Sequence, residues 1–299
     1  MAESATAVRA DETTLPPLSP PSATTGLFEV FRRRYLLRLL VGREISARYQ
    51  GSVLGLLWSY VNPLTQFCIY YFVVGILFNL HSNVENFAIH MFCGMVIVHF
   101  FNETFNAGTR SIVRNRSLVK KMAMPREMFP VASMLVSLYH VLPQLIILVI
   151  ICVLSGWLPG IGDPVAIALS MAIIMTLGTA MALLFSAANV FFRDVSNVAS
   201  ILTNFVRFGV PMIYPYSLVA ERFHGHTELY LADPLAEAVL LMQRAFWVGT
   251  TSDPSVTIAQ HMPDHLYLRS VIALGISLVV LGIGQLVFSR LENRIPERL

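Results

Sequence analysis

Six apolar segments most strongly limit the folds open to this chain of 299 residues. They lie at roughly 53–79, 87–105, 131–155, 165–191, 197–213 and 268–288. Each approaches the ~20 residues that a helix needs to cross ~30 Å of hydrocarbon. Charged residues make up 13% of the chain, about half the ~25% that is usual in soluble domains. The sequence therefore predicts an all-α, polytopic membrane protein with six transmembrane helices.

The distribution of Lys and Arg predicts the orientation of these segments. The chain before the first segment carries seven arginines, the connection 80–86 has no basic residue, and the connection 106–130 has six. The connection 156–164 again has none, whereas 192–196 and the tail after the sixth segment are basic. Because basic loops stay on the cytoplasmic side, both termini are expected in the cytoplasm. We expect a disordered cytoplasmic tail at 1–26, a cytoplasmic tail at 290–299 and the membrane domain at 50–289.

Residues 27–49 are predicted to form a basic amphipathic helix at the membrane interface. Its apolar side is formed by Phe31, Tyr35, Leu36, Leu39 and Leu40. Its arginines could meet anionic head groups, or they could serve only to fix the topology; they are Arg32, Arg33, Arg34, Arg38, Arg43 and Arg48.

The fifth segment carries a polar stripe. Successive members are spaced 4, 3, 4, 3, 4 and 3 residues apart, which places them on one helix face; they are Arg193, Asn197, Ser200, Asn204, Arg207, Pro211 and Tyr214. Arg207 would lie ~20 Å from the cytoplasmic end, where an arginine facing lipid costs at least ~2.5 kcal/mol. The stripe is therefore expected either to line a polar passage or to seal a helix–helix contact.

A second polar face is predicted in the first segment. Trp58, Asn62, Gln66 and Tyr70 recur every four residues. Aromatic rings and amides together suit sugars, whose C–H faces stack on rings while their hydroxyls need hydrogen-bond partners. Trp58 fits an aromatic belt at the membrane interface equally well.

Two connections are more than simple turns. The cytoplasmic loop 110–130 mixes charges with Ile112, Val113, Leu118, Val119, Met122 and Met124. This mixture favours a short amphipathic helix that docks on another protein, ended by Pro125 and Pro130; a plain solvated turn is the alternative. In the outer loop 214–267, the apolar run 235–248 is too short to span and suits a re-entrant or interfacial helix.

The sequence offers no catalytic or metal site. It has no GxxxxGK[ST] loop and only two lysines, so the chain is not itself a P-loop ATPase. Asp163, Asp233 and Asp253 each precede a proline, which favours a role in turns. We expect the three cysteines to act as small apolar residues, His90, His99 and His140 to pack against neighbouring helices, and the loop histidines to be solvated; the loop histidines are His224, His226, His261 and His265.

Three stretches together resemble the permease subunits of type-2 ABC transporters that export O-antigen, capsule or teichoic acid. Residues 48–64 match RYxGSxLGxxW followed by NPL at the start of the first span. Residues 118–130 resemble the cytoplasmic loop that contacts the ATPase, through Leu118, Val119, Lys120, Lys121, Met122, Met124, Pro125, Arg126 and Glu127. Residues 191–195, Pro211 and Tyr214 match the fifth span. Asp233 stands where the family usually has Asn before Pro-Leu.

The resemblance, which covers about residues 27–295, implies a homodimer of six-span subunits in a bacterial inner membrane. It implies two copies of a separate ATPase, which would bind the ATP and Mg, and no cofactor in this chain. The implied cargo is a lipid-pyrophosphate-linked glycan that moves outward along the first and fifth spans; nucleic acid is not an expected partner. A drug or small-lipid exporter, a glycan-building membrane enzyme and a structural scaffold are the alternative functions.

Overall fold

The computed structural model describes residues 26–53, 55–80, 84–122, 124–157, 159–223 and 225–299. These residues form helices, turns and irregular connections, without a strand. The predicted tail 1–26 lies outside the described residues except for Gly26. The all-α fold class predicted from the apolar segments is thus confirmed.

Fourteen helices follow one another along the described chain. The helices are α1 (Leu27–Arg32), α2 (Arg34–Tyr49), α3 (Trp58–Tyr70), α4 (Phe87–Arg114), α5 (Arg116–Lys121), α6 (Met128–Leu154), α7 (Asp163–Phe191), α8 (Val195–Gly209), α9 (Tyr216–Arg222), α10 (Thr227–Leu231), α11 (Pro234–Phe246), α12 (Pro254–His261), α13 (Leu266–Glu292) and α14 (Ile295–Arg298). A 3-10 turn, Gly55–Leu57, precedes α3, and π-helical turns, Tyr71–Leu77, extend it. The predicted helix 27–49 is divided in two at Arg33.

Five helices of the described chain are long and apolar enough to cross a membrane: Trp58–Leu77, α4, α6, α7 and α13. The segment predicted to span at 197–213 instead contains α8, whose 15 residues extend ~22 Å at 1.5 Å per residue. Gly209 ends this helix, and Pro211 has no N–H with which to continue it. The carbonyl of Pro211 instead accepts a hydrogen bond of 2.7 Å from Gln243 of α11.

α4 is the central helix of the bundle. In its most apolar stretch 78% of the residues are buried, against 11% for Trp58–Leu77. Glycines let α4 and α7 approach closely: a Cβ on Gly108 would lie 2.4 Å from Cβ of Ala182, and a Cβ on Gly178 would lie 3.0 Å from Thr104. Small residues at a helix contact allow this close packing between membrane helices.

The two described termini lie at the same end of the bundle, here called the basic end. There Arg126 donates to the carbonyl of Glu292 at 2.6 Å, and Gln285 donates to Glu127 at 3.0 Å. A separate apolar cluster unites residues of α1, α2, α4, α5, α6, α7, α13 and α14, including Leu40, Phe129 and Phe288. The chain between α2 and α14 therefore starts and finishes at the same end of the bundle.

The opposite end of the bundle is covered by α9 to α12. All residues of α11 except Pro234 and Arg244 are buried, and the helix packs against α4, α7 and α13. Asp233 accepts a hydrogen bond from the backbone N–H of Leu235 at 3.0 Å, and Asp253 caps α12 in the same manner. Because Asn and Asp are equally good N-caps, the departure from the family's Asn at 233 preserves the local structure.

An ion pair joins this outer layer to α13. Arg269 donates two hydrogen bonds of 2.7 Å to the carboxylate of Glu228 in α10. These bonds hold the pKa of Glu228 below its usual range. The stabilisation is therefore present above the unfolded pKa and is lost as the pH falls through the lowered folded pKa.

The close contact of α4 and α7 predicts that Gly108→Ala destabilises the protein. The added methyl group would overlap Ala182, and overpacking of this kind costs ~1–3 kcal/mol. Thermal unfolding of the purified chain in detergent measures the change. Gly275→Ala is the matched control, since a Cβ there meets nothing within 4 Å; equal midpoints for the two variants would contradict the predicted contact.

Candidate functional site

One side of α4 carries a row of polar residues, here called the α4 stripe: His99, Glu103, Asn106 and Arg110. Their spacing of 4, 3 and 4 residues keeps them on one helix face. The other faces of α4 pack against α6, α7 and α11. The stripe therefore occupies the side of the central helix that is bordered by α8 and by the junction of α2 and α3.

On one border, α8 binds the stripe through hydroxyls. Arg110 donates to Ser200 at 3.2 Å, and Asn106 donates to Thr203 at 3.2 Å. Ser200 donates in turn to the Asn106 side-chain oxygen at 3.3 Å. Ala199 and Thr203 are the buried residues of α8, so this polar contact coincides with its packing face.

On the other border, the end of α2 is bonded to the stripe. Arg48 forms an ion pair with Glu103, whose side chain is only 10% exposed. Nε2 of His99 lies 3.9 Å from the same carboxylate, and Nδ1 of His99 is 3.0 Å from Nε2 of Gln144 in α6. Arg48 and Gln144 therefore connect α2 and α6 to this side of α4.

A pocket of about 230 Å³ opens at the α2–α3 junction, here called the polar pocket. It is lined by residues of the α2–α3 junction, of α4 and of α6: Arg48, Tyr49, Ser52, Gly55, Trp58, Ser59, Asn62, Pro63, His99, Glu103 and His140. We use the term polar groove for the α4 stripe together with this pocket and the facing residues Ser200, Thr203 and Arg207 of α8.

The predicted stripe on α8 is helical only between Asn197 and Arg207. Asn197 and Asn204 are exposed, and Ser200 and Arg207 are half-buried beside the groove. Arg193 precedes the helix, and Pro211 follows it. Tyr214 also lies beyond the helix, and its hydroxyl donates back to the carbonyl of Phe208 at 2.9 Å. Ser200 of the predicted stripe on α8 therefore forms part of the contact with α4, whereas Asn197 and Asn204 remain exposed.

The predicted face of the first span divides into two parts. Trp58 and Asn62 line the polar pocket, whereas Tyr70 packs against the main apolar core and Gln66 is half-buried. Sequence reasoning missed His99, Glu103 and His140 as members of the site. The spacing of His99, Glu103, Asn106 and Arg110 was the signal that could have revealed the α4 stripe.

The six interfacial arginines have different surroundings. Arg43 donates to Asn115 at 3.1 Å, Arg48 pairs with Glu103, and Arg33 pairs with Glu29. Arg32, Arg34 and Arg38 are exposed. Of these six arginines, the three are therefore the candidates for contact with an anionic head group. A further ion pair between Glu44 and Arg114 holds α2 against α4.

The predicted ATPase-contacting loop is largely bound to its own bundle. Val119 and Met124 are buried, Arg126 and Glu127 bond to α13, and Leu118 and Pro125 are half-buried. Lys120, Lys121 and Met122 are exposed. Met122 is thus an exposed apolar side chain next to two charged ones. Ala123, between the two methionines, lies outside the described residues.

Within the described part of the chain, no group of three His, Cys, Asp or Glu could hold a metal ion. Cys93 and Cys152 are buried, as expected of small apolar residues, whereas Cys68 is exposed. His90 packs edge-on against Trp247 with ring centroids 4.7 Å apart. The arrangement can bind polar ligands.

A helical membrane bundle with a polar groove beside its central helix defines the class of membrane transport subunits. The family described as ABC-2 type transporter matches residues 35–242, which is more than half of the chain. The chain therefore belongs to this family of transporter membrane subunits.

Three O-antigen export system permease proteins are similar along nearly the whole chain. One from Klebsiella pneumoniae is 26% identical over 88% of this chain and 95% of its own length. One from Myxococcus xanthus is 26% identical over 91% of this chain and 98% of its own length. A second Klebsiella pneumoniae protein is 25% identical over the same shares as the first.

The ion pair between Arg48 and Glu103 should contribute stability that depends on both partners. Arg48→Met would leave a mostly buried carboxylate without its cation. We expect this variant to lower the thermal midpoint clearly, and to lower it less when Glu103→Gln is already present, with a coupling of about 0.5–3 kcal/mol. The local i,i+4 pair Arg33–Glu29 is the control, since pairs at this spacing couple by ~0.5 kcal/mol or less. Additive effects at Arg48 and Glu103 would show that the pair does not fasten α2.

Proposed function

We propose that the chain is the transmembrane subunit of an ATP-driven exporter that moves a lipid-linked polysaccharide out of the cytoplasm. The observation that carries this proposal is the polar groove. It places charged and amide side chains on the side of the bundle that is otherwise flanked by exposed apolar residues of α3 and α8. Groups of this kind inside a membrane face protein or water, and hydroxyl-rich cargo needs such partners.

The groove becomes an enclosed passage if a second copy of the chain covers it. Trp58–Leu77 is packed against the bundle along little of its length, and Leu64, Ile69 and Phe72 are more than half exposed. On α8, Ile201, Phe205 and Phe208 are likewise exposed. These apolar surfaces on both sides of the polar groove support a homodimer in which α3 and α8 border the path.

A separate ATPase would drive the transport, with ATP and Mg bound there. The exposed residues Lys120, Lys121 and Met122 of the loop after α4 are the proposed contact. The exposed arginines Arg32, Arg34 and Arg38 would receive the pyrophosphate of the lipid at the cytoplasmic surface. In this arrangement both termini lie in the cytoplasm of a bacterium, beneath its inner membrane.

The name shared by the relatives favours a glycan over the alternatives, and O-antigen is the cargo named for them. The excess of arginine over lysine, 19 to 2, is typical of a GC-rich genome. Together with the local motif match, it makes the galactan of actinobacterial cell walls our specific hypothesis for the glycan. Depletion of the protein should trap that lipid-linked glycan in the cytoplasmic leaflet, and mass spectrometry of the trapped sugar identifies it.

A drug or small-lipid exporter is the second candidate, and a glycan-building enzyme the third. Accumulation of a drug or of phospholipid, with normal surface glycan after depletion, would favour the second. Glycan synthesis by the purified chain without an ATPase would favour the third.

Arg207→Ala should reduce glycan export without preventing assembly. Loss of the hydrogen bonds from a charged donor, worth ~1.5–3 kcal/mol, corresponds to about a tenfold or greater decrease in rate. The measurement is surface glycan in depleted cells that carry the variant at normal abundance. Arg222→Ala, at an exposed arginine of α9 outside the groove, is the matched control; unchanged export by Arg207→Ala would remove Arg207 from the path.

Met122→Ala should weaken the stimulation of the partner's ATP hydrolysis. The side chain is 45% exposed and can therefore insert into a partner surface, whereas Val119 is buried and supports the fold. ATP turnover of the reconstituted complex is the measurement. Leu229→Ala at the opposite end, where the side chain is 75% exposed, is the control. If both variants leave turnover unchanged, the contact lies elsewhere.

A further inference from the structure

The polar pocket is electrically neutral although it contains charged residues. Its charged side chains are Arg48 and Glu103, and these two form an ion pair with each other. The other polar members are neutral hydroxyls, an amide and two histidines. A phosphate or carboxylate entering the pocket would therefore meet no uncompensated positive charge and would face the carboxylate of Glu103.

His140 lines this pocket and has a buried ring nitrogen without a hydrogen-bond partner. Its side chain is 1% exposed, and its Nδ1 lies 2.7 Å from the hydroxyl of Tyr49 and 3.1 Å from that of Ser59. Its Nε2 has no hydrogen-bond partner. In either neutral tautomer, Nε2 is a buried donor or acceptor without a hydrogen-bond partner, which costs free energy.

The opposite wall offers an aromatic surface and an amide. The side chain of Trp58 is 48% exposed, and Asn62 is exposed one helical turn later. A half-exposed indole presents an apolar face, while an amide both donates and accepts hydrogen bonds. A ligand with an apolar C–H face and hydroxyls around its edge matches this combination.

We infer that the polar pocket is a binding site for one uncharged sugar residue. Trp58 stacks on the sugar ring, and Asn62 and the Arg48–Glu103 pair bond its hydroxyls. The inference rests on the proposed function in that the cargo is a glycan. It adds a subsite composed of residues from α2, α3, α4 and α6, and it assigns Arg48 to neutral sugar rather than to pyrophosphate.

The test uses the full-length chain in lipid nanodiscs without sugar-based detergent. Saturation-transfer NMR is recorded with the methyl glycosides of glucose, galactose and mannose, with methyl glucuronide, and with inorganic pyrophosphate followed by phosphorus NMR. At least one neutral glycoside should bind, and neither glucuronide nor pyrophosphate should compete with it. Failure of all three neutral glycosides, or competition by pyrophosphate, would overturn the inference.

Variants separate the pocket from the rest of the path. Trp58→Ala should weaken glycoside binding about tenfold, and Asn62→Ala should also weaken it. Phe72→Ala, an exposed aromatic on the extension of α3 that does not line the pocket, should not. Equal binding by Trp58→Ala and Phe72→Ala, with unchanged thermal midpoints, would contradict the proposed stacking.

A third variant tests the neutrality of the pocket directly. Glu103→Gln leaves the Arg48 charge uncompensated and should create pyrophosphate binding that the natural chain lacks. Absence of that gain, with a folded variant, would show that Arg48 and Glu103 do not set the charge preference.

The failure of the pocket and the failure of the exporter function can be distinguished. If the chain binds glycosides but its depletion leaves glycan export intact, the pocket is supported and only the exporter function is refuted. If glycan export depends on the chain but the chain binds no glycoside, the exporter function is supported and the pocket is refuted.

Discussion

The whole arrangement depends on how α4 divides its surface between apolar and polar surroundings. Most of its circumference is buried by α6, α7 and α11, and glycines at 108 and 178 allow the closest of these contacts. One narrow side remains polar, and it cannot face hydrocarbon without a substantial cost. That polar side is covered by α8 and by the α2–α3 junction, and the polar groove lies between these two elements.

The ion pairs at the basic end show how an arginine-rich helix can have more than one role. Arg43 and Arg48 bind α2 to the bundle, and Glu44 of α2 pairs with Arg114 of α4. In contrast, Arg32, Arg34 and Arg38 are exposed. A positively charged sequence segment therefore contains both structural ties and candidate ligand contacts. Only residues without an internal counter-charge retain the free charge that an anionic head group requires.

The same distinction applies to the loop between α4 and α6. Apolar residues among charges predicted a helix that docks on a partner, and α5 does form. Yet Val119 and Met124 complete the protein's own apolar cluster, because α2, α6 and α13 converge beneath them. The amphipathic pattern indicates that one face must be covered, but it does not identify the covering element.

The sequence by itself determined the all-α class, five of the six predicted spanning segments, the local hydrogen bonding of the Asp-Pro pairs at 233 and 253, and the polar side of α8. These properties are local, since they follow from hydrophobic length, helical period and the hydrogen bonding of single turns. Tertiary structure decided that α11 enters the bundle beside Pro211. It also brought Arg48 to Glu103 and His140 to Tyr49. Those pairs join residues far apart in the chain, and their meeting depends on helix packing that no local pattern encodes.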